Sequence, residues 1–243
     1  MRVNRPGEPQ GAATARAPVE RSTSVSVPLL RSVIEQLGDE DRRWVILDLG
    51  PARPIMLDML SGHRVRLDIA DLTDDIERAP GPAEGSRLID LPAVRKPEPV
   101  DFVLCWDLLN YLDRKTLARL MAQVAMRCRA GALVHALIVY SERVMCRQPG
   151  QLVPTDAGTL STPAPGGPER AAPRYSPEDF ATAMPDYAVD RVRLLGNGMQ
   201  EYLFKTRSLR DPLNPTASIG TASEPAPRSP KHGSTRGGRG ASK

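Results

Sequence analysis

The sequence predicts an α/β sandwich whose mostly parallel sheet is closed by an antiparallel hairpin. Three observations carry that expectation. Short, nearly continuous apolar runs, such as residues 45–49 and "PVDFVLCWDLL", alternate with segments of helical period, and this is the order that builds a parallel sheet. The last ordered stretch reads "YAVDRVRLL", Gly196-Asn197-Gly198, "MQEYLFKTR", two alternating runs about a glycine turn and hence a hairpin. A chain of 243 residues, 40% of them hydrophobic, can bury one full core with length to spare.

In chain order, Leu30, Val33, Ile34 and Leu37 fall on one helical face, and Gly38 stops that helix. Residues 45–49 form the first strand. A helix opens at Pro54, a residue tolerated in a first turn, and carries Ile55, Leu57, Met59 and Leu60. "RVRLDIAD" alternates as a second strand, a short helix covers residues 72–78, and "APGPAEGS" is loop. "RLIDL" is read as a third strand and "PVDFVLCWDLL" as a fourth. Asp113 caps a helix with Leu117, Leu120, Met121, Val124 and Cys128 on one face, which Ala130-Gly131 ends. "ALVHALIVY" is the fifth strand. Residues 143–174 have no usable period and read as a long loop or lid. Ser176-Pro177-Glu178-Asp179 starts a last helix, with the serine as cap and acids in the first turn.

Charge and composition divide the chain into three parts. Residues 1–24 are rich in Pro, Ala, Gly and Arg, and residues 208–243 are built from Ser, Pro, Gly and basic residues, so both are expected to be disordered, the second as a basic tail. Six Lys and Arg against two acids in the C-terminal tail, and four against two in the N-terminal one, more than account for the net charge of +4. The segment between is slightly acidic and offers nucleic acid no broad basic surface. "RGGRG" in the tail is a motif that can touch RNA or an acidic partner, and a solvated tail is the simpler account. Cys105, Cys128 and Cys146 form no CxxC pair, and His63, His135 and His232 lack ligand spacing, so no metal site is expected. No apolar run approaches the roughly 20 residues that span a bilayer, and the first 20 residues lack the apolar core of a secretory signal. A cytoplasmic location without a membrane partner is the expectation.

Four segments, in their order, resemble the class I S-adenosylmethionine-dependent methyltransferases: "VILDLGPARP", "VRLDIADL", "VDFVLCWDLLNYLD" and "LGNGMQEYLF", with "RCRAGALV" like the family's helix-to-strand turn. The resemblance covers residues 28–207 and implies a Rossmann-like three-layer sandwich with seven strands in a domain spanning residues 25–207. It implies S-adenosyl-L-methionine as cofactor and methyl transfer to a small-molecule acceptor. A catalytically inactive protein of the same fold, acting as a binding or regulatory partner, is the alternative.

The resemblance assigns cofactor contacts to Asp48, Gly50, Ala52, Asp71 and Asp107. The family's first loop has an acid and three alternate glycines, whereas here Asp48 and Gly50 are followed by Ala52 and Pro54. Pro51 and Pro54 lack an N–H and fix φ, which removes some backbone contacts. Arg53 is placed to meet a cofactor carboxylate instead; a simple strand-ending turn also explains "DLGP". Asp71 follows Asp48 at the family's spacing for the ribose-binding acid, a role suited to a carboxylate that accepts two hydrogen bonds side by side. Asp68 is the competing acid, and Asp90 fits the adenine position poorly. Cys105, Trp106, Asp107, Asn110 and Tyr111 follow the fourth strand. Asp107 is the candidate base or orienting group and Tyr111 the candidate pocket wall, against a helix cap and a core ring. Because the sulfonium methyl is already activated, alignment supplies much of the catalysis and no strong catalytic motif is required.

Overall fold

The computed structural model describes residues 23–39, 42–78, 89–93, 98–162 and 167–207. Of the tails expected at 1–24 and 208–243, residues 1–22 and 208–243 lie outside these residues, as does the whole "APGPAEGS" loop.

The described chain runs β1 (Thr23–Ser26), α1 (Pro28–Asp39), β2 (Trp44–Asp48), α2 (Pro54–Leu60), β3 (Val65–Ile69), α3 (Thr73–Glu77) and β4 (Val100–Leu104). A 3-10 turn (Leu108–Tyr111) leads into α4 (Arg114–Arg127), β5 (Cys128–Val139), β6 (Val144–Cys146), β7 (Val153–Asp156), β8 (Thr159–Thr162) and β9 (Glu169–Ala171). The chain continues through α5 (Pro177–Ala183), β10 (Tyr187–Leu194) and β11 (Met199–Thr206).

The main sheet has six strands in the order β10-β11-β5-β4-β2-β3. Strands β3, β2, β4 and β5 are parallel, and β11 and β10 complete the sheet antiparallel to their neighbours. Alternation along the buried strands sends side chains into two cores. Val45, Leu47 and Val103 pack with α4 and α5, through Leu117, Leu120, Val124 and Phe180. Trp44, Ile46, Phe102 and Leu104 pack with α1 and α2, through Leu30, Val33, Ile34 and Met56. Two apolar layers about one sheet make the three-layer sandwich.

Local signals explain several of these boundaries. The Asp113 carboxylate accepts from the Lys115 and Thr116 N–H groups at the start of α4. Ser176 and Asp179 form a capping box at α5, with Pro177 in its first turn. Gly198 turns the hairpin at φ 79°, a conformation that costs glycine little.

Four expectations are corrected. The sheet has six strands among the described residues, not seven. Ile89, Asp90 and Leu91 of the "RLIDL" run form no strand: α4 takes over the partners a strand would need, as Gln123 accepts the Leu91 N–H at 3.0 Å and Arg119 pairs with Asp90 at 3.0 Å. Helix α4 stops at Arg127 and not at Ala130-Gly131, because Cys128 already pairs with Val100 and begins β5.

Residues 143–174 are not a plain loop. They hold a β6–β9 ribbon and the β7–β8 pair, and β8 in turn pairs with β1. This last contact also draws Thr23 and Ser24 out of the segment expected to be disordered. Burial of Val25, Leu152 and Leu160 drives the closure.

Helix α1 is anchored from far along the chain. The Glu201 carboxylate on β11 accepts the Leu29 N–H at 3.0 Å and the Leu30 N–H at 2.8 Å, satisfying two first-turn donors. His135 on β5 lies 3.0 Å from the same carboxylate, and both side chains are fully buried.

Candidate functional site

In an open α/β sheet, ligands gather at the carboxyl ends of the strands where strand order reverses. Here the chain moves from β2 outward to β3 and then returns across β2 to β4, so the reversal lies between β2 and β4. The loops leaving these strands, 49–53 and 105–111, carry most of the residues singled out from the sequence.

Asp48 ends β2 and is 1% exposed. Its Oδ1 accepts the Trp106 indole N–H at 2.7 Å and the Gly50 N–H at 2.8 Å. Burial outweighs these bonds and raises its pKa to about 6. A Cβ on Gly50 would lie 2.7 Å from Trp106 Cδ1, so glycine is required here by a side chain of the same protein. Trp106 is fully buried and holds a positive φ of 50°, a conformation that is costly for a bulky side chain and persists only where the surroundings enforce it. Ala52 is exposed.

Arg53 lies across the indole with its guanidinium carbon 5.5 Å from the ring centroid, within cation–π range. It is 9% exposed. Its Nη2 donates to the Gly150 carbonyl at 2.7 Å, while Nη1 is buried without a partner among the described residues. Desolvation lowers its pKa, opposed by Asp48, Asp107 and Asp71.

Asp107 is buried, and burial raises its pKa to about 6. Its carboxylate receives the Gly150 N–H at 3.3 Å and lies 3.4 Å from the Tyr111 hydroxyl. That hydroxyl also faces the Cys146 carbonyl at 3.0 Å and the Gln148 carbonyl at 2.9 Å, and its single proton serves one acceptor at a time. Burial pushes the Tyr111 phenol well above the usual range. Asn110 is structural: it donates to the Asp107 and Leu137 carbonyls and accepts the Val139 N–H.

Residues 146–152 thus form a strap over the β2/β4 crevice. Tyr111, Asp107 and Arg53 hold its backbone, and Gln148 reaches Glu77 at 3.2 Å. At φ 73°, Gly150 has room for a Cβ only at 3.2 Å from the Thr73 methyl and 3.6 Å from the Pro51 ring. Thr73 Oγ1 is buried without a partner among the described residues. The sequence places the strap within the expected loop or lid of residues 143–174 but does not show its contacts, because an isolated glycine in an aperiodic run carries no signal of its distant partners.

Asp71 stands apart from this packing. It follows β3, is exposed, and has a positive φ of 43°. It is close enough for its charge to act on both Asp48 and Arg53. Asp68, its competitor, pairs with Arg66 at 2.9 Å. Asp90 pairs with Arg119 away from the crevice. The structure brings Asp48, Gly50, Arg53 and Asp107 together, leaves Asp71 and Ala52 exposed, and pairs Asp68 with Arg66 and Asp90 with Arg119. Among the described residues no group of three or more His, Cys, Asp or Glu could hold a metal ion, and no helix is long and apolar enough to cross a membrane.

No protein-family model matches the chain, and no curated protein matches it. Solved structures do. Its structure is similar to those of many S-adenosylmethionine-dependent methyltransferases. One from Clostridium acetobutylicum has a TM-score of 0.45 at 12% identity, over 74% of this chain and 91% of that one. A putative type 11 methyltransferase from Sulfolobus solfataricus has a TM-score of 0.43 at 13% identity, over 76% of this chain and 95% of that one. The 1,6-didemethyltoxoflavin-N1-methyltransferase of Burkholderia thailandensis, solved with 1,6-didemethyltoxoflavin and S-adenosylhomocysteine, has a TM-score of 0.43 at 14% identity, over 74% and 78%. The parallel core and terminal antiparallel strands resemble the Rossmann-like methyltransferase fold.

The crevice fits an adenosyl cofactor at one end only. The exposed Asp71 carboxylate can accept two ribose hydroxyls. The amino-acid end does not fit this arrangement: the Cβ side of Gly50 is filled by Trp106, Oδ1 of Asp48 is engaged by Trp106 and Gly50, and Gly150 lies between Arg53 and Asp107.

Proposed function

We propose that the chain is a methyltransferase-fold protein that does not transfer methyl groups and acts as a binding or regulatory partner. The observation that carries this reading is the indole of Trp106 against Gly50, with a Cβ position only 2.7 Å from the ring. The features that look like a cofactor loop, a strand-ending acid and a glycine two residues on, are explained by packing within the chain. The strap adds a second layer, since Arg53 and Asp107 both spend hydrogen bonds on Gly150.

One observation favours the other reading, S-adenosyl-L-methionine-dependent transfer to a small acceptor. Arg53 Nη1 and Thr73 Oγ1 are buried beside the strap without partners among the described residues, and orphaned polar atoms are rare in a crevice packed for stability alone. With Asp71 exposed beside them, they are a set that a polar ligand would satisfy once the strap had moved.

Calorimetric titration of the full chain with S-adenosylmethionine and S-adenosylhomocysteine separates the two. The closed reading expects no binding heat with ligand at about 1 mM, a threshold that corresponds to roughly 4 kcal/mol of affinity. Saturable binding that Asp71→Ala weakens would replace it with the cofactor-dependent one.

A further inference from the structure

Between α3, the start of α4 and the β6–β9 ribbon lies a second cavity, of about 590 Å³, within the range of small-molecule pockets. Its walls differ in character. Ile76, Ile89 and the ring of Tyr175 are buried apolar surface, and the Tyr175 hydroxyl is already committed to the Leu112 carbonyl. The ribbon side carries Arg147 and Arg170.

Two cations along this wall are not ion-paired among the described residues. Arg114 is paired with Asp179 at 2.8 Å. The two acids that line the cavity are also engaged: Asp113 caps α4 through both oxygens, and Glu77 accepts from Gln148. Arg147 and Arg170 have no carboxylate partner among the described residues. Arg170 instead stands over the Tyr111 ring, its guanidinium carbon 5.5 Å from the centroid. Its charge reaches both Tyr111 and Tyr175. A guanidinium held against an aromatic face keeps its fork of N–H donors for a planar anion.

We infer that this cavity binds a small organic anion, whose carboxylate or phosphate is held by Arg147 and Arg170 and whose flat apolar body lies against Ile76, Ile89 and Tyr175. The cavity shares the strap with the β2/β4 crevice through Arg147 and Pro149, but the inference needs no cofactor there and its test uses none.

The probes are benzoate and phenyl phosphate, with neutral benzamide as the shape control, titrated calorimetrically into the full chain. At least one anion is expected to bind with one-to-one stoichiometry and benzamide is not; the stronger of the two anions identifies the preferred head group. Arg147→Ala and Arg170→Ala are each expected to weaken the anion by about tenfold, the loss of one charge-assisted contact. Arg147 is exposed, so its replacement leaves the fold intact, and Arg170→Lys keeps the charge if alanine disturbs the ribbon. Benzamide binding as tightly as benzoate, undiminished anion binding in both alanine variants, or no anion binding at about 10 mM, would each overturn the assignment.

Discussion

At the scale of single residues, the crevice contains two carboxylates that are costly to ionise. Asp48 and Asp107 both titrate near 6, because burial outweighs the hydrogen bonds that favour their charged forms. A carboxyl whose folded pKa lies above its unfolded value binds more protons when folded. The stability it contributes is full below about pH 4 and is lost as pH rises toward 6. Asp107→Asn removes one such group, so urea unfolding of the variant should show a shallower fall in stability across pH 4–6 than the wild type. An unchanged slope would mean that Asp107 is solvated like an ordinary surface acid. Asp48 and Gly50 were legible in the sequence as a pair, since a strand-ending acid and a glycine two residues later form a local pattern. Their reason was not, because Trp106 is brought over them by β4 and not by its position in the chain.

At the scale of elements, the helix starts at Asp113 and Ser176 were readable because cap and capped turn are adjacent in sequence. Helix α1 shows the opposite case. Its period identified it, but its first-turn donors are satisfied by Glu201, more than 170 residues away, and no local pattern encodes that. Glu201→Ala would leave two buried N–H groups and the His135 ring nitrogen without their acceptor. The expected cost is about 3–5 kcal/mol, as for breaking a buried charged network, read as a fall in the urea midpoint. Glu201→Gln keeps one acceptor oxygen and should cost less. A loss below about 1 kcal/mol for the alanine variant would remove Glu201 as the anchor of α1. The "RLIDL" run failed for a related reason. Its composition suits a strand, but the Leu91 N–H goes to the Gln123 side chain on α4.

At the scale of the whole molecule, the parallel core and closing hairpin were visible because buried parallel strands are continuously apolar and a glycine turn is local. The region 143–174 was opaque because its strands are three or four residues long, too short to establish a period. Strand β1 lies far from its partner in sequence and borders a polar tail. This closure is testable by truncation. Removing residues 1–26 deletes β1, withdraws Val25 from the core and bares Leu160, at a cost of about 2 kcal/mol for the valine alone. Limited proteolysis should then cut within 143–162, whereas a chain lacking only residues 1–22 should resist as the wild type does. Equal resistance of both truncations would show that β1 contributes nothing to the insert.

The Gly150 peptide has a consequence for any ligand of the crevice. Its N–H faces the Asp107 carboxylate while its carbonyl accepts from Arg53, the same polarity that a free amino acid would offer with its ammonium and carboxylate groups. The strap is thus an intramolecular competitor at full effective concentration. An incoming zwitterion gains only the difference between its own contacts and those of the peptide it displaces. Its apparent affinity is its intrinsic affinity scaled by the fraction of molecules with the strap open. Substitutions that loosen residues 146–150 would tighten such a ligand without touching it.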